Sequence, residues 1–146
     1  MSSSFLSSVG RLIVGRRCLL SVPYTSFLAV FFVLWLTGLA SLVAWWRMRT
    51  DVRFGDGGDE RLEAAIRAHA NALESMLPFL LVFFLYELQH PPAWALWGLG
   101  GGFCLARVSH AIGMLFAFLP CRRWGAISTF TLTVALCGAL GWSLLA

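Results

Sequence analysis

The 146-residue chain is 59% hydrophobic and 12% charged, with a mean hydropathy of +0.78. Soluble domains of this size lie nearer half apolar and one quarter charged, which excludes a monomer free in solution. Every basic residue is arginine, and eleven of them against seven acids leave a net charge of +4, in a length that allows one domain.

Residues 1–23, "MSSSFLSSVGRLIVGRRCLLSVP", are rich in Ser and Arg, contain no acid and space their apolar residues helically. This N-terminal extension reads as a continuation of the span that follows. An organellar transit peptide and an interfacial amphipathic helix are the alternatives. Arginines break its apolar run, which makes it a poor secretory signal. Residues 27–46, "FLAVFFVLWLTGLASLVAWW", carry no charge and are long enough to cross a hydrocarbon core about 30 Å thick.

Residues 61–88, "RLEAAIRAHANALESMLPFLLVFFLYEL", begin polar and end apolar. At about 100° per residue, Glu63, Arg67, Asn71, Glu74 and Pro78 fall within about 40° either side of one line. His69 lies on the opposite side with Leu62, Leu73 and Met76. The expected helix is continuous, with at most a bend at Pro78. Its polar stripe is expected to mark the inward face, leaving His69 outside any site formed by Arg67, Asn71 and Glu74.

Residues 94–119 form a third apolar run, interrupted by Arg107 and His110 on neighbouring faces. A charge at the middle of a span costs about 2.5–3.5 kcal/mol on insertion scales, so Arg107 and Glu74 are expected to face protein or a wet cavity. Glu74 is expected within salt-bridge or water-bridged reach of Arg107 or Arg67, Asn71 bridging. Gly98-x-x-x-Gly102 reads as a close helix-packing face. Residues 126–145 are again uncharged, and Ser128, Thr129 and Thr133 supply small hydrogen-bonding contacts. The total is four spans.

Arg47, Arg49, Arg53, Arg61, Arg122 and Arg123 flank or occupy the first and third loops, while "QHPPA" carries no arginine. The arginine bias therefore puts loops 47–61 and 120–125 in the cytoplasm and both termini outside; Arg11, Arg16 and Arg17 pull the other way. Cys18, Cys104, Cys121 and Cys137 form no C-x-x-C pair or ligand spacing. Glu87-x-x-His90 has the spacing of four-helix di-iron proteins but lacks the second motif they need. No metal site, phosphate loop or nucleic-acid partner is expected. The buried charges fit a polar-ligand site, a structural network or a transporter, and no inverted repeat or broken helix supports the last.

"GDGGDERLEAAIRAHANALESMLPFLL" followed by "ARVSHAIG" resembles the MAPEG family, the membrane-associated proteins in eicosanoid and glutathione metabolism. The family's second-helix pattern Arg-x-x-x-Asn-x-x-Glu is met by Arg67, Asn71 and Glu74, and its third-helix Arg-x-x-His by Arg107 and His110. The Gly-Asp-Gly-Gly loop at 55–58 most resembles the small bacterial branch. The resemblance covers residues 24–146 as one domain. It implies an all-α integral membrane fold, a four-transmembrane-helix bundle assembled as a homotrimer in the bacterial inner membrane.

It further implies a glutathione-dependent transferase or peroxidase acting on lipophilic electrophiles or hydroperoxides. Glutathione, the co-substrate, would sit between subunits near the cytoplasmic side. Arg47, Arg67, Asn71, Glu74, Arg107 and His110 would contact it. Guanidinium groups suit its carboxylates and Glu74 its ammonium. A helix-four arginine near the thiol would favour the nucleophilic thiolate; that role falls on Arg123 or Arg122. Two departures stand out. Ala70 replaces an arginine frequent in the family's enzymes, and Met114 a glutathione-binding tyrosine. The alternative is a non-catalytic protein of this fold, whose polar stripe is structural or binds another small anion.

Overall fold

The computed structural model describes residues 21–145. The readings made for residues 1–20, including Arg11, Arg16, Arg17 and Cys18, lie outside the described residues. Among the described residues four helices account for the regular structure: α1 (Pro23–Thr50), α2 (Glu60–Glu87), α3 (Ala93–Leu115) and α4 (Leu119–Leu145). Connections this short make successive helices antiparallel neighbours.

Each boundary has a local cause. Proline opens α1, where a missing N–H costs nothing, but Val22 before it offers no capping side chain. The cap comes from elsewhere. Glu87, buried at the far end of α2, accepts bonds from the amides of Tyr24 (3.0 Å) and Thr25 (2.7 Å) and from the Thr25 hydroxyl (2.6 Å). The Glu87-x-x-His90 motif is thus divided, its acid serving as a helix cap. At the other end of α1, Arg47 and Arg49 complement the carbonyl terminus. Arg47 Nη1 also donates to the carbonyls of Val52, Arg53 and Gly55 at 3.1–3.3 Å, curling the following loop around itself.

Asp59 caps α2, its Oδ1 accepting from the amides of Arg61 (2.9 Å) and Leu62 (2.8 Å). From there α2 runs unbroken through Pro78, as expected. The third run ends earlier than its hydropathy suggests. Ala117 adopts a left-handed conformation (φ 52) directly after α3, and α4 starts at Leu119 with Pro120 next. Arg122 and Arg123 therefore stand at the end of the first turn of α4 and the start of its second, and not in a loop.

α2 and α3 form the short diagonal of a rhombus. α1 packs chiefly on α2, α4 chiefly on α3, and among the described residues α1 and α4 do not meet. The centre is aromatic: Phe79 and Phe103 stack at 3.6 Å between centroids, with Phe83 and Phe32 at 5.9 and 5.7 Å from them. Leu62, Ala65, Ala68, Ala72, Met76 and Phe79 are the inward residues of α2. The polar stripe is not that inward face, contrary to expectation. Arg67, Glu74 and Pro78 are exposed on the flank of α2, because the apolar side packs against α1 and α3.

The close approach also shifts. Of the expected pair, a Cβ on Gly102 would meet Leu132 of α4 at 3.3 Å, as expected, while Gly98 meets nothing within 4 Å. The tightest contacts lie further along, where a Cβ on Gly125 would lie 2.5 Å from the His110 amide nitrogen and one on Gly113 2.6 Å from Arg122 Cα. These two glycines let α3 and α4 touch backbone to backbone. Among the described residues three helices, α1, α2 and α4, are by themselves long and apolar enough to cross a membrane; α3 carries Arg107, His110 and five glycines. Phe27, Val33, Leu34, Leu81, Leu105, Phe130 and Val134 project outward from all four helices, as a lipid-facing surface requires.

Candidate functional site

The α3–α4 approach positions the residues around Arg107. The arginine projects from the packed side of α3 and is 2% exposed. Its Nη2 donates to Asn71 Oδ1 on α2 at 2.9 Å, and its Nη1 to Thr129 Oγ1 on α4 at a long 3.5 Å. The Thr129 hydroxyl donates in turn to the Gly125 carbonyl at 2.7 Å. One guanidinium so ties three helices. Among the described residues its Nε is buried without a partner, and no carboxylate lies within ion-pair distance. A buried guanidinium lacking both is costly and attracts an anion.

His110 follows one turn later, also buried, with Nδ1 3.1 Å from the Arg122 carbonyl. A carbonyl only accepts, so Nδ1 carries the proton and Nε2 is the acceptor of the neutral ring. The α4 backbone can lie this close because residue 125 is glycine.

Arg107 and His110 border a cleft of about 240 Å³ between α2, α3 and α4. Asn71, Glu74 and Ser75 line its polar side, Pro78, Ala126 and Phe130 its apolar side. Pro78 lacks the N–H that would bond the Glu74 carbonyl, so one backbone acceptor on the lining turn has no intrahelical donor. The cleft therefore offers a cation, a carboxylate, hydroxyls and a carbonyl beside an apolar wall. That set suits a small zwitterionic or anionic molecule meeting an apolar one.

One turn nearer the arginine-rich end, a second cleft of about 300 Å³ is lined by Glu60, Glu63, Arg67, Met114 and Arg122. Here Arg67 Nε pairs with Glu63 Oε1 at 2.8 Å, with 66% and 46% of the two side chains exposed. An exposed pair of this spacing is worth only about 0.3–0.5 kcal/mol, so Arg67 is readily given up to another carboxylate.

The expected site residues are thereby sorted. Asn71, Glu74, Arg107 and His110 share one cleft; Arg67 and Arg122 share the next. Arg123 lines neither cleft and is exposed, and Arg47 is engaged with its own loop. The expected Glu74 ion pair is absent among the described residues. Arg107 turns to Asn71 and Thr129, Arg67 turns to Glu63, and Glu74 is exposed on the flank of α2. Asn71 does bridge to α3, and His69 lies outside both clefts, as expected. Thr129 and Thr133 were legible only as generic helix contacts. The spacing Gly125-x-x-x-Thr129, which puts the hydroxyl on the close-packed face, is the signal that marks Thr129.

The MAPEG family model matches residues 25–142. Inner membrane protein YecN from two strains of Escherichia coli is 33% identical over 85 residues in each case. That stretch is 58% of this chain and 64% of YecN, so the match spans less than two thirds of those relatives' length.

Proposed function

The chain belongs to the MAPEG family and is a multi-pass membrane protein, and from that premise we propose that it binds glutathione and uses it as a co-substrate against lipophilic electrophiles or hydroperoxides. The observation that carries this reading is Arg107, a buried guanidinium that among the described residues has an unpartnered Nε and no carboxylate within ion-pair distance, bordering a cleft with Glu74 and Asn71. Arg107 and Arg67 would take the two carboxylates and Glu74 the ammonium. Asn71 would orient Arg107, and His110 Nε2 would accept from a ligand N–H. Arg122, at the rim of the second cleft, is better placed than Arg123 to favour the thiolate within one chain. The apolar wall at Pro78 and Phe130 would admit the second substrate from the lipid.

The family fold supports a homotrimer with all four helices crossing, so that a neighbouring subunit would complete the exposed flank of α2. Likeness to YecN supports the bacterial inner membrane, with the arginine-rich end cytoplasmic. A second reading, a non-catalytic protein of this fold, draws on the Arg107–Asn71–Thr129 tie, which has a structural use of its own. Calorimetric titration of the detergent-solubilised protein with glutathione, followed by an assay with an apolar aryl halide, separates the two. Saturable heat and glutathione-dependent conjugation are expected, with binding weakened in Glu74→Gln, whose exposed side chain holds no structural bond. Binding without turnover leaves the second reading; no binding removes the first.

A further inference from the structure

Away from both clefts, on the α1 side of the arginine-rich end, four side chains form a continuous stack. The Arg49 guanidinium carbon lies 4.8 Å from the Trp45 ring centroid, and the Trp45 and Trp46 rings meet edge to face at 4.7 Å. The Arg61 guanidinium carbon lies 5.5 Å from the Trp46 centroid. Neither arginine has an acid within ion-pair distance among the described residues. Leu42, one turn deeper in α1, continues the surface with Leu115 and Phe116 of α3. Together with the two indoles and Arg61 they line a groove of about 400 Å³.

We propose that this groove is a binding site for an anionic phospholipid, with its phosphate against Arg61, Arg49 adding positive charge on the far side of the indoles, and an acyl chain along Leu42, Leu115 and Phe116. The groove is cationic at one end and apolar along the rest, which matches an amphiphile and not a free phosphate. Stacking uses the face of a guanidinium and leaves its in-plane N–H donors for phosphate oxygens. It also holds two long side chains in place, reducing the ordering cost of binding. Indoles and arginines at the ends of spanning helices stand at headgroup depth, where anionic lipids attract each such cation. The site stands independently of the glutathione reading, since it shares no residue with either cleft.

The test is native mass spectrometry of the full-length protein released from micelles containing phosphatidylglycerol or phosphatidylcholine, with thermal unfolding in the same mixtures as a second readout. The wild type is expected to retain phosphatidylglycerol preferentially and to gain thermal stability from it. Arg49→Gln with Arg61→Gln should lower the preference about fivefold for each arginine removed. Leu42→Trp, which fills the groove and leaves both arginines intact, should lose it too; Arg122→Gln with Arg123→Gln should keep it. Equal retention of the two lipids by wild type overturns the site. So does a phosphatidylglycerol preference that survives Arg49→Gln with Arg61→Gln, or that survives Leu42→Trp. A groove covered by a second copy, seen as inter-chain disulfide formation by Phe116→Cys with no lipid preference, also overturns it.

Discussion

Arg107 shows how much one side chain settles once it is buried. Its Nη2 depends on Asn71, so Asn71→Ala should leave a buried donor unpaired and cost about 1–3 kcal/mol, measured by unfolding in mixed micelles. Thr129→Val should cost less, because the 3.5 Å contact it loses is already long. The sequence made Arg107 conspicuous, since an arginine within an apolar run needs a partner. The partner was not legible there. A helical projection gives angles about one axis, and the Glu74 pairing it suggested requires matched depth and side-chain direction on two helices. The arginines of α4 permit a sharper test at this scale. Adjacent helical residues differ by about 100°, so both cannot approach one sulfur of a single ligand. Arg122→Ala should abolish the ultraviolet thiolate absorbance gained when glutathione binds, the thiol pKa returning toward about 8.5, and Arg123→Ala should leave it. The reverse pattern transfers the role to Arg123 and implies that a neighbouring subunit supplies the site.

Among the elements, existence was easier to read than facing. Apolar runs located all four helices, because a hydrocarbon core demands length and hydropathy. They did not locate the buried side of α2, because in a membrane protein apolar residues face lipid and core alike, and polarity no longer separates inside from outside. The ends of α3 and α4 also moved, since the break lies in the backbone at Ala117 and in Pro120 and not in any loss of hydropathy. Helix contacts carry two predictions. Gly125→Ala would drive a methyl into the His110 backbone, so α3 and α4 should separate there at a cost of about 1–3 kcal/mol, with ligand binding lost in parallel. Gly138→Ala meets open space and should be neutral or stabilising in the same assay. Glu87→Leu should destabilise α1 by about 1–3 kcal/mol through its unpaired donors, and Glu87→Gln by less, because an amide oxygen still accepts.

For the whole molecule, the uneven distribution of arginine is the feature that acts furthest. Arg47, Arg49, Arg53, Arg61, Arg122 and Arg123 gather at one end of the bundle, while the α2–α3 turn at the other end carries Gln89 and His90. With that end cytoplasmic, alkaline phosphatase fused after Ala146 should be active and a fluorescent protein fused there dark. The opposite result would mean that Arg11, Arg16 and Arg17 set the topology. The exposed flank of α2 bears on assembly. Arg67 and Glu74 lie at a level where lipid is a poor neighbour for charge, so native mass measurement in mild detergent should find three chains per particle. A monomer at working concentration would leave that flank to water and would remove the shared site.

The bond from Glu87 to the first turn of α1 also has a meaning in time. Synthesis delivers Thr25 first and its cap 62 residues later. Until then the amides of Tyr24 and Thr25 lack the acceptor they have in the finished fold. Completion of α2 closes that end. The first two helices are therefore built to mature as one hairpin, with the acid that ends the second acting as the check that the first has arrived in register.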